Sequence, residues 1–368
     1  MKSGSGKWIA IFLSMIFLPT FLWVFVSQIA DTTNYEKRVL AVKPTYQDTG
    51  YQQYATAYDM YYTDHLPFRN YLLQLYSLVE FRIFKESFAD DVQIGKDNWM
   101  FYHGENEAAM QDYTGMNLFS EEMLGLIRQN LLDTEAYLKA RDIEFVLFIA
   151  PNKESVYGEY LPDYIQEDKT ELTRAMQLVS YLRATTDLRI VFPLQEILDE
   201  KSEHILYCKY DSHWNNLGAY IGTRELLKEL GVSMPPLTEL TITATNDAPI
   251  DLAEEIGLMY YVTDKLDYSV SGYNNNTFEL ALSDDSGFAT YYRYTSDAAD
   301  TRTVLMNRDS FANAMIPYFA SSFKEVYMPN YYYFSPDVLE DEKPDVFVFE
   351  VAERRLSILT SFYMKEAE

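Results

Sequence analysis

Residues 144–150 read EFVLFIA, and Pro151 ends this run. An unbroken apolar run of this length is typical of a parallel strand that is covered on both faces. Helical patterns lie on either side of it along the chain. Ser120 can cap a helix that runs to about Lys139, and residues 170–184 have the apolar spacing of a second helix. A strand between two helices predicts an α/β domain with a mostly parallel sheet.

The alternation of strands and helices continues towards the C-terminus, with one interruption. The further elements that it predicts are a strand at 189–192, a helix at 215–230 that Gly231 closes, a strand at 303–306, a helix at 311–319, and strands at 325–328 and 345–351. The interruption, 232–300, is rich in Thr, Asn, Asp and Tyr, and Asn274–Asn276 is a turn signal. We therefore expect residues 232–300 to form an irregular insertion.

One long segment, from Trp8 to Ser27, carries no charge. As a helix it would cover about 30 Å, which is the thickness of the hydrocarbon core of a bilayer. Lys2 and Lys7 precede it and acidic residues follow it, which predicts a cytoplasmic N-terminus and an extracytoplasmic remainder. Residues 28–30 make a poor cleavage site, so the pattern favours an uncleaved anchor over a cleaved signal peptide.

These patterns divide the chain of 368 residues into three parts. Residues 1–30 are predicted to be a cytoplasmic tip and transmembrane anchor, and residues 31–90 a tether with helices that lead into the domain. Residues 91–368 are predicted to be the α/β domain, with 232–300 inserted in it. The expected location is the cell membrane, with a single crossing and the C-terminal domain outside the cytoplasm.

Composition excludes several classes of function. The 30 Lys and Arg residues against 56 Asp and Glu residues give a net charge of −26, which disfavours nucleic acid as a partner. Four histidines and one cysteine exclude a disulfide scaffold and a Cys-rich zinc site, and we predict no metal and no cofactor. The 32 tyrosines suit sugar clefts and interfaces, or equally the edges of a core and β-structure.

Polar residues that follow predicted strands are the candidates for chemistry, because ligands of open parallel sheets lie at the carboxyl ends of strands. Asp211 and His213 are two residues apart, so an extended backbone would let the carboxylate orient the imidazole as a base. Ser310 follows a strand and opens a helix, where amides including its own could stabilise an oxyanion. The structural alternative is an Asp cap with a packed histidine, and a serine that merely caps a helix.

Seven blocks of the chain resemble motifs of the alginate O-acetyltransferase family, of the AlgJ and AlgX type, and of the related Gram-positive DHHW proteins. The blocks occur in the same order as in that family. They are Asp64–Arg69 (DHLPFR), Gly95–Tyr102 (GKDNWMFY), Pro151–Pro162 (PNKESVYGEYLP), Asp211–Asn215 (DSHWN), Asp251–Ala253 (DLA), Arg308–Phe311 (RDSF) and Glu350–Leu356 (EVAERRL).

The resemblance implies a three-layer α/β/α fold like that of SGNH hydrolases, and a Ser-His-Asp triad of Ser310, His213 and Asp211. It also implies O-acetylation of a cell-envelope or exported polysaccharide, with a membrane-bound O-acyltransferase as the acetyl donor. Arg308 stands where the family usually has Gly, a residue that permits unusual backbone angles. That substitution, and an insertion that matches only at the DLA block, leave the polysaccharide unidentified.

The sequence thus predicts an O-acetyltransferase that works through an acyl-enzyme on Ser310. Asn330 is expected to help the Ser310 amide hold the oxyanion. Lys153, Tyr157 and Arg354 are predicted substrate contacts, or alternatively core or salt-bridge residues. Two other functions stay open: a carbohydrate acetylesterase or deacetylase, and a non-catalytic glycan-binding subunit of a polysaccharide assembly complex.

Overall fold

The computed structural model of the protein describes residues 4–29, 39–104, 108–285 and 289–365. The chain forms two compact units. The smaller unit comprises Met1–Ala89 together with Ala253–Val262, and the larger comprises Asp90–Leu252 with Thr263–Glu368. Part of the predicted insertion, 253–262, therefore groups with the N-terminal segment, an association that local sequence patterns do not reveal.

The smaller unit is built from helices. They are α1 (Gly4–Val26), α2 (Tyr46–Asp64) and α3 (Arg69–Val79), which continues into a π-helical turn at Glu80–Phe84. Residues Gly6–Val26 of α1 are long and apolar enough to cross a membrane, so α1 is a candidate membrane span or signal sequence. Three features of the predicted anchor lie outside the described residues. They are Lys2, the acidic residues that directly follow the span, and Ala30, the last residue of the weak cleavage site.

The larger unit contains the strands and the remaining helices. The strands are β1 (Val92–Ile94), β2 (Met100–Tyr102), β3 (Glu144–Ala150), β4 (Ile190–Val191), β5 (Thr241–Thr245), β6 (Asp267–Ser271), β7 (Phe278–Asp285), β8 (Ala289–Ser296), β9 (Thr303–Asn307), β10 (Glu325–Pro329) and β11 (Val346–Ala352). The helices are α4 (Ala109–Thr114), α5 (Glu121–Lys139), α6 (Lys153–Tyr157), α7 (Asp163–Gln166), α8 (Arg174–Thr185), α9 (Leu194–Glu200), α10 (Asn216–Glu229), α11 (Asp251–Glu255, which runs into the smaller unit), α12 (Ile316–Ala320) and α13 (Asp337–Glu342). Short 3₁₀ turns include Ser310–Met315 and Glu353–Thr360.

A seven-stranded sheet in the order β4-β3-β11-β9-β10-β8-β7 forms the centre of this unit. The strands from β4 to β10 pair in parallel, whereas β8 and β7 join antiparallel at one edge. The α/β prediction is confirmed, but the prediction of a mostly parallel sheet is wrong because the sheet is mixed. The reason lies in the insertion: residues 232–300, predicted to be irregular, contain the hairpin β5–β6 and the strands β7 and β8.

Helices cover both faces of the parallel strands. Along β3, Val146 and Phe148 pack into the core layer that includes α10, while Leu147 and Ile149 pack into the opposite layer with α5 and α8. This alternation explains why EFVLFIA is apolar throughout, since every residue after Glu144 is buried. The layers place the carboxyl ends of β3, β11, β9 and β10 along one edge, where the candidate site lies.

Candidate functional site

Ser310 begins the 3₁₀ turn that follows β9, and it is exposed. The turn is fixed by Asp309, whose Oδ1 accepts a hydrogen bond from the Phe311 amide at 2.8 Å. Its Oδ2 accepts one from the Ala352 amide at 2.8 Å, at the end of β11. The backbone amide of Asp309 donates to Glu350 Oε2 at 2.7 Å. Two of these three hydrogen bonds therefore join the turn that carries Ser310 to the neighbouring strand β11.

The backbone at Arg308, where the family motif that the sequence resembles has glycine, adopts an ordinary conformation. Arg308 pairs with Asn330 in a parallel bridge, and its φ is not positive. Its guanidinium donates to Asn313 Oδ1 at 2.9 Å and lies 5.2 Å from the centre of the Tyr292 ring. Because the backbone does not enter the left-handed region, the turn has no requirement for glycine at position 308.

Asp211 and His213 lie in a turn between two residues that form a bridge, Tyr207 and Trp214. His213 Nδ1 lies 2.7 Å from Asp211 Oδ1, and the backbone amide of His213 donates to the same oxygen at 2.9 Å. The other oxygen, Oδ2, accepts from the Asp251 amide at 2.9 Å. The backbone is bent here, not extended as predicted, and the bend lets one carboxylate hold both the ring and the main chain of the histidine.

The nucleophile candidate meets this pair directly. His213 Nε2 lies 2.7 Å from Ser310 Oγ, within hydrogen-bond distance. The imidazole also packs against the Phe311 ring, with 4.8 Å between ring centres. The structure thus brings Asp211, His213 and Ser310 into one continuous chain of hydrogen bonds, although Ser310 is 97 residues from His213.

Charges around the imidazole favour its protonated form. Burial acts to lower the pKa of His213, but the hydrogen bond and the charge of Asp211, aided by Asp251, outweigh it and raise the pKa above its ordinary value. The Asp211 carboxylate responds in the opposite sense. Burial would raise its pKa, yet the bonds to His213 and to two backbone amides hold it well below its usual range. Asp211 is therefore ionised at every pH at which neutral His213 can act as a base.

Asp251 is a site residue that the sequence patterns did not single out beyond the DLA block. Its Oδ2 lies 3.7 Å from His213 Nδ1 and accepts from the Ser212 hydroxyl at 2.8 Å. Its Oδ1 accepts from the Ser212 amide at 2.8 Å. The carboxylates of Asp211 and Asp251 and the ring of His213 could also hold a metal ion, since their ligand atoms lie within 4.8 Å of one another.

Three of the predicted substrate contacts, Lys153, Tyr157 and Arg354, are buried. Lys153 is 1% exposed, and its Nζ donates to the carbonyls of Met100 and Cys208 at 2.6 Å and of Lys209 and Asp211 at 3.0 Å. Burial lowers the pKa of Lys153 to about 8. The Tyr157 hydroxyl accepts from the Leu206 amide at 2.9 Å. The side chains of Lys153 and Tyr157 support the segment that carries Asp211, an arrangement that favours a positioning role over substrate contact.

Arg354 and Asn330 each contact a neighbour of Ser310 along the chain. The Arg354 guanidinium is 5.0 Å from the centre of the Phe311 ring, and its charge acts to lower the pKa of His213. Asn330 is partly exposed and adjoins Arg308 through the bridge. Its Oδ1 accepts from the Tyr332 amide at 3.0 Å, which leaves the amide NH₂ group as the donor.

A layered α/β sheet with a serine after one strand and an Asp-x-His turn beside it defines the SGNH-like class of α/β proteins. Residues 92–258 match the family described as SGNH hydrolase-like domain, acetyltransferase AlgX. The match confirms the resemblance found in the sequence. It includes Asp211, His213 and Asp251 and ends before Ser310.

Solved structures give the same fold. A DHHW family protein from Eubacterium siraeum is 14% identical, covers 76% of this chain and 97% of its own, and has a TM-score of 0.51. PatB1 from Bacillus cereus, with a sulfonyl adduct, is 16% identical, covers 74% of this chain and 100% of its own, and has a TM-score of 0.52. No curated protein matches the chain by sequence.

Proposed function

We propose that this chain is an extracytoplasmic O-acetyltransferase that moves an acetyl group to a polysaccharide hydroxyl through an acyl-enzyme on Ser310. The observation that carries the proposal is the chain of hydrogen bonds from Asp211 through His213 to an exposed Ser310 hydroxyl. A base within reach of a nucleophile, itself oriented by a carboxylate, is the arrangement that activates serine for acyl transfer. The match to an acetyltransferase family supports the acyl group assigned.

The reaction has two halves. In the first, His213 Nε2 takes the proton of Ser310 as Oγ attacks the acetyl carbonyl, and the same proton then goes to the leaving oxygen of the donor. In the second, a sugar hydroxyl gives its proton to Nε2 and attacks the acetyl-serine ester. Ser310 Oγ leaves and regains the proton, so the enzyme returns to its starting state with the acetyl group on the sugar.

The oxyanion that forms in each half is assigned to the Ser310 amide and the Asn330 side chain. Asp309 already accepts from the Phe311 amide, so that amide is occupied and Ser310 supplies the backbone donor. The Asn330 NH₂ group lies on the adjacent strand end, next to the bridge with Arg308. Removing one such donor typically slows acyl transfer about 10²–10³-fold. Arg354 is buried, and its charge near Phe311 is assigned to the electrostatics of the site, where it suits a developing negative charge.

The partners follow from the same chemistry. An acetyl group delivered outside the cytoplasm requires a donor that crosses the membrane, and a membrane-bound O-acyltransferase meets that need. The anchor is assigned to α1, which is apolar enough to span a bilayer. The acceptor is a polysaccharide hydroxyl, consistent with the family match.

The test uses the full chain in detergent, with an activated acetyl ester as donor and an oligosaccharide as acceptor. We expect Ser310→Ala and His213→Ala each to lower acetyl release by at least about 10³-fold. A sulfonyl fluoride should label Ser310, in line with the adduct known for PatB1. Ser233→Ala is the matched control, because Ser233 is exposed and follows the C-terminal end of α10.

The fate of the acetyl group separates the alternatives. Acetate gained by the oligosaccharide supports transfer, whereas acetate released only to water makes the chain an esterase, with the same acyl-enzyme. Unchanged release in both Ser310→Ala and His213→Ala would overturn the triad. Glycan binding without acetyl release in the parent chain would instead assign it a non-catalytic role.

A further inference from the structure

The helix that follows the DHLPFR block carries large apolar side chains on its outside. We call this set the outer face, and it consists of Leu72, Leu75, Tyr76, Ile83 and Phe84. Leu75 is 59% exposed and Ile83 is 69% exposed. Leu72, Leu75 and Tyr76 follow the i, i+3, i+4 spacing of one side of a helix. Apolar side chains grouped in this way usually mark a binding or membrane surface.

The opposite side of the same helix is already occupied. Ser77 and Phe81 are buried, and Leu73 and Gln74 lie beside Gly257 in the segment 253–262 of the same unit. The inner side thus holds the helix in place, while Leu75 and Ile83 of the outer face stay more than half exposed.

The outer face is continuous with the candidate membrane span. The Phe68 ring packs edge-on against Trp23 near the end of α1, with 5.3 Å between ring centres. Pro67, Phe68 and Leu72 line one groove together with Met15, Leu18 and other residues of α1. Wherever α1 lies in a bilayer, the start of α3 therefore lies against lipid as well.

We propose that the outer face of α3 and its π turn contacts the acyl chains of the bilayer that α1 crosses. The start of α3 lines one groove with Met15, Leu18 and Leu22 of α1, so this part of the face lies beside the apolar span. The chain then has two apolar contacts with the membrane, the span itself and the outer face. This inference rests on the proposed anchoring by α1 and is independent of acetyl transfer.

The test measures where single spin labels sit in the full chain, reconstituted into nanodiscs of phosphatidylcholine and phosphatidylglycerol. Labels are attached through Leu75→Cys or Ile83→Cys, and the native Cys208 is buried. Leu126→Cys is the matched control, because Leu126 is a leucine of similar exposure, 47%, on α5 of the larger unit. We expect the labels at 75 and 83 to be reached by oxygen in preference to a water-soluble nickel chelate, and the label at 126 to show the reverse.

Equal access of the nickel chelate to positions 75, 83 and 126 would overturn the proposal. Spin–spin coupling between labels at 75 on two chains would overturn it too, because a second copy would then cover the face. Mass measurement of the reconstituted chain verifies that α1 is retained, so loss of the anchor is detected separately. Hydrolysis of the activated ester by each labelled chain shows that it is folded and keeps failure of the proposed function distinct.

Discussion

At the scale of single residues, Asp251 places a second carboxylate beside the imidazole of His213. Asp211 is bonded to Nδ1, while Asp251 lies 3.7 Å away and is held by Ser212. Two negative charges on one side of the ring stabilise the imidazolium that forms when Ser310 loses its proton. Asp251 therefore acts on the reaction through the histidine, without touching the serine.

We predict that Asp251→Asn moves the acid limb of the kcat/KM profile to lower pH. The substitution keeps an acceptor for Ser212 but removes a charge that raises the pKa of His213, so the neutral base persists at lower pH. Ester hydrolysis between pH 4 and 9 measures the midpoint. Asp264→Asn is the control, since Asp264 pairs with Lys209 and not with the histidine. An unmoved midpoint in Asp251→Asn would assign this residue a purely structural role.

Residue spacing and the family resemblance together predict the three residues that the structure brings together, but not the roles of the residues around them. Asp211, His213 and Ser310 were predictable because each stands in a short motif next to a strand or helix end. Lys153 gave no sign of burial, since only the folded chain shows four carbonyls converging on its Nζ. Asp251 lies 40 residues from Asp211 along the chain, so its contact with the histidine turn depends on tertiary structure.

At the scale of elements, strands buried on both faces were predictable and the edge strands were not. Every residue of β11 is buried, and so are the last six of β3, so an apolar run marks both strands. In β7, Leu280 and Leu282 are more than half exposed, and Glu279, Ala281 and Ser283 alternate with them. A half-covered edge hairpin has a weaker sequence signal than a central strand, which is why the sequence predicts an irregular segment at 232–300.

The turn after β9 gives a prediction at this scale, because its backbone at Arg308 does not require glycine. We predict that Arg308→Gly and Arg308→Ala lower acetyl release to the same extent, since both lose the contacts with Asn313 and Tyr292. The Gly variant should be less stable than the Ala variant by about 0.4–1 kcal/mol, because φ at 308 is not positive and Gly adds only unfolded-state entropy. Urea unfolding of both variants measures the difference, and a more stable Gly variant would contradict the assigned backbone.

At the scale of the whole molecule, the larger unit buries several acids behind the site. Burial raises the pKa of Asp112 to about 6, although Arg174 opposes the rise, and it raises the pKa of Glu353 to about 7. Burial also raises the pKa of Glu154 and Glu350. Ionising a buried acid is unfavourable in itself, and it also adds a negative charge to a chain whose net charge is already −26. Both effects make the folded state more stable at mildly acidic pH than at neutral pH.

We predict that the melting temperature falls from pH 5 to pH 8 and that Glu353→Gln reduces this fall. Between its ordinary pKa near 4.5 and about 7, Glu353 keeps a proton in the folded state that the unfolded chain has released, so stability is lost as pH rises. The loss from this group is on the order of 3 kcal/mol. Glutamine keeps an acceptor for the Asn152 amide and the Ser155 hydroxyl and cannot ionise. Glu340→Gln, at an exposed position of α13, is the control for thermal unfolding across this range. Parallel curves for the parent and Glu353→Gln would show that this buried carboxyl does not set the pH dependence.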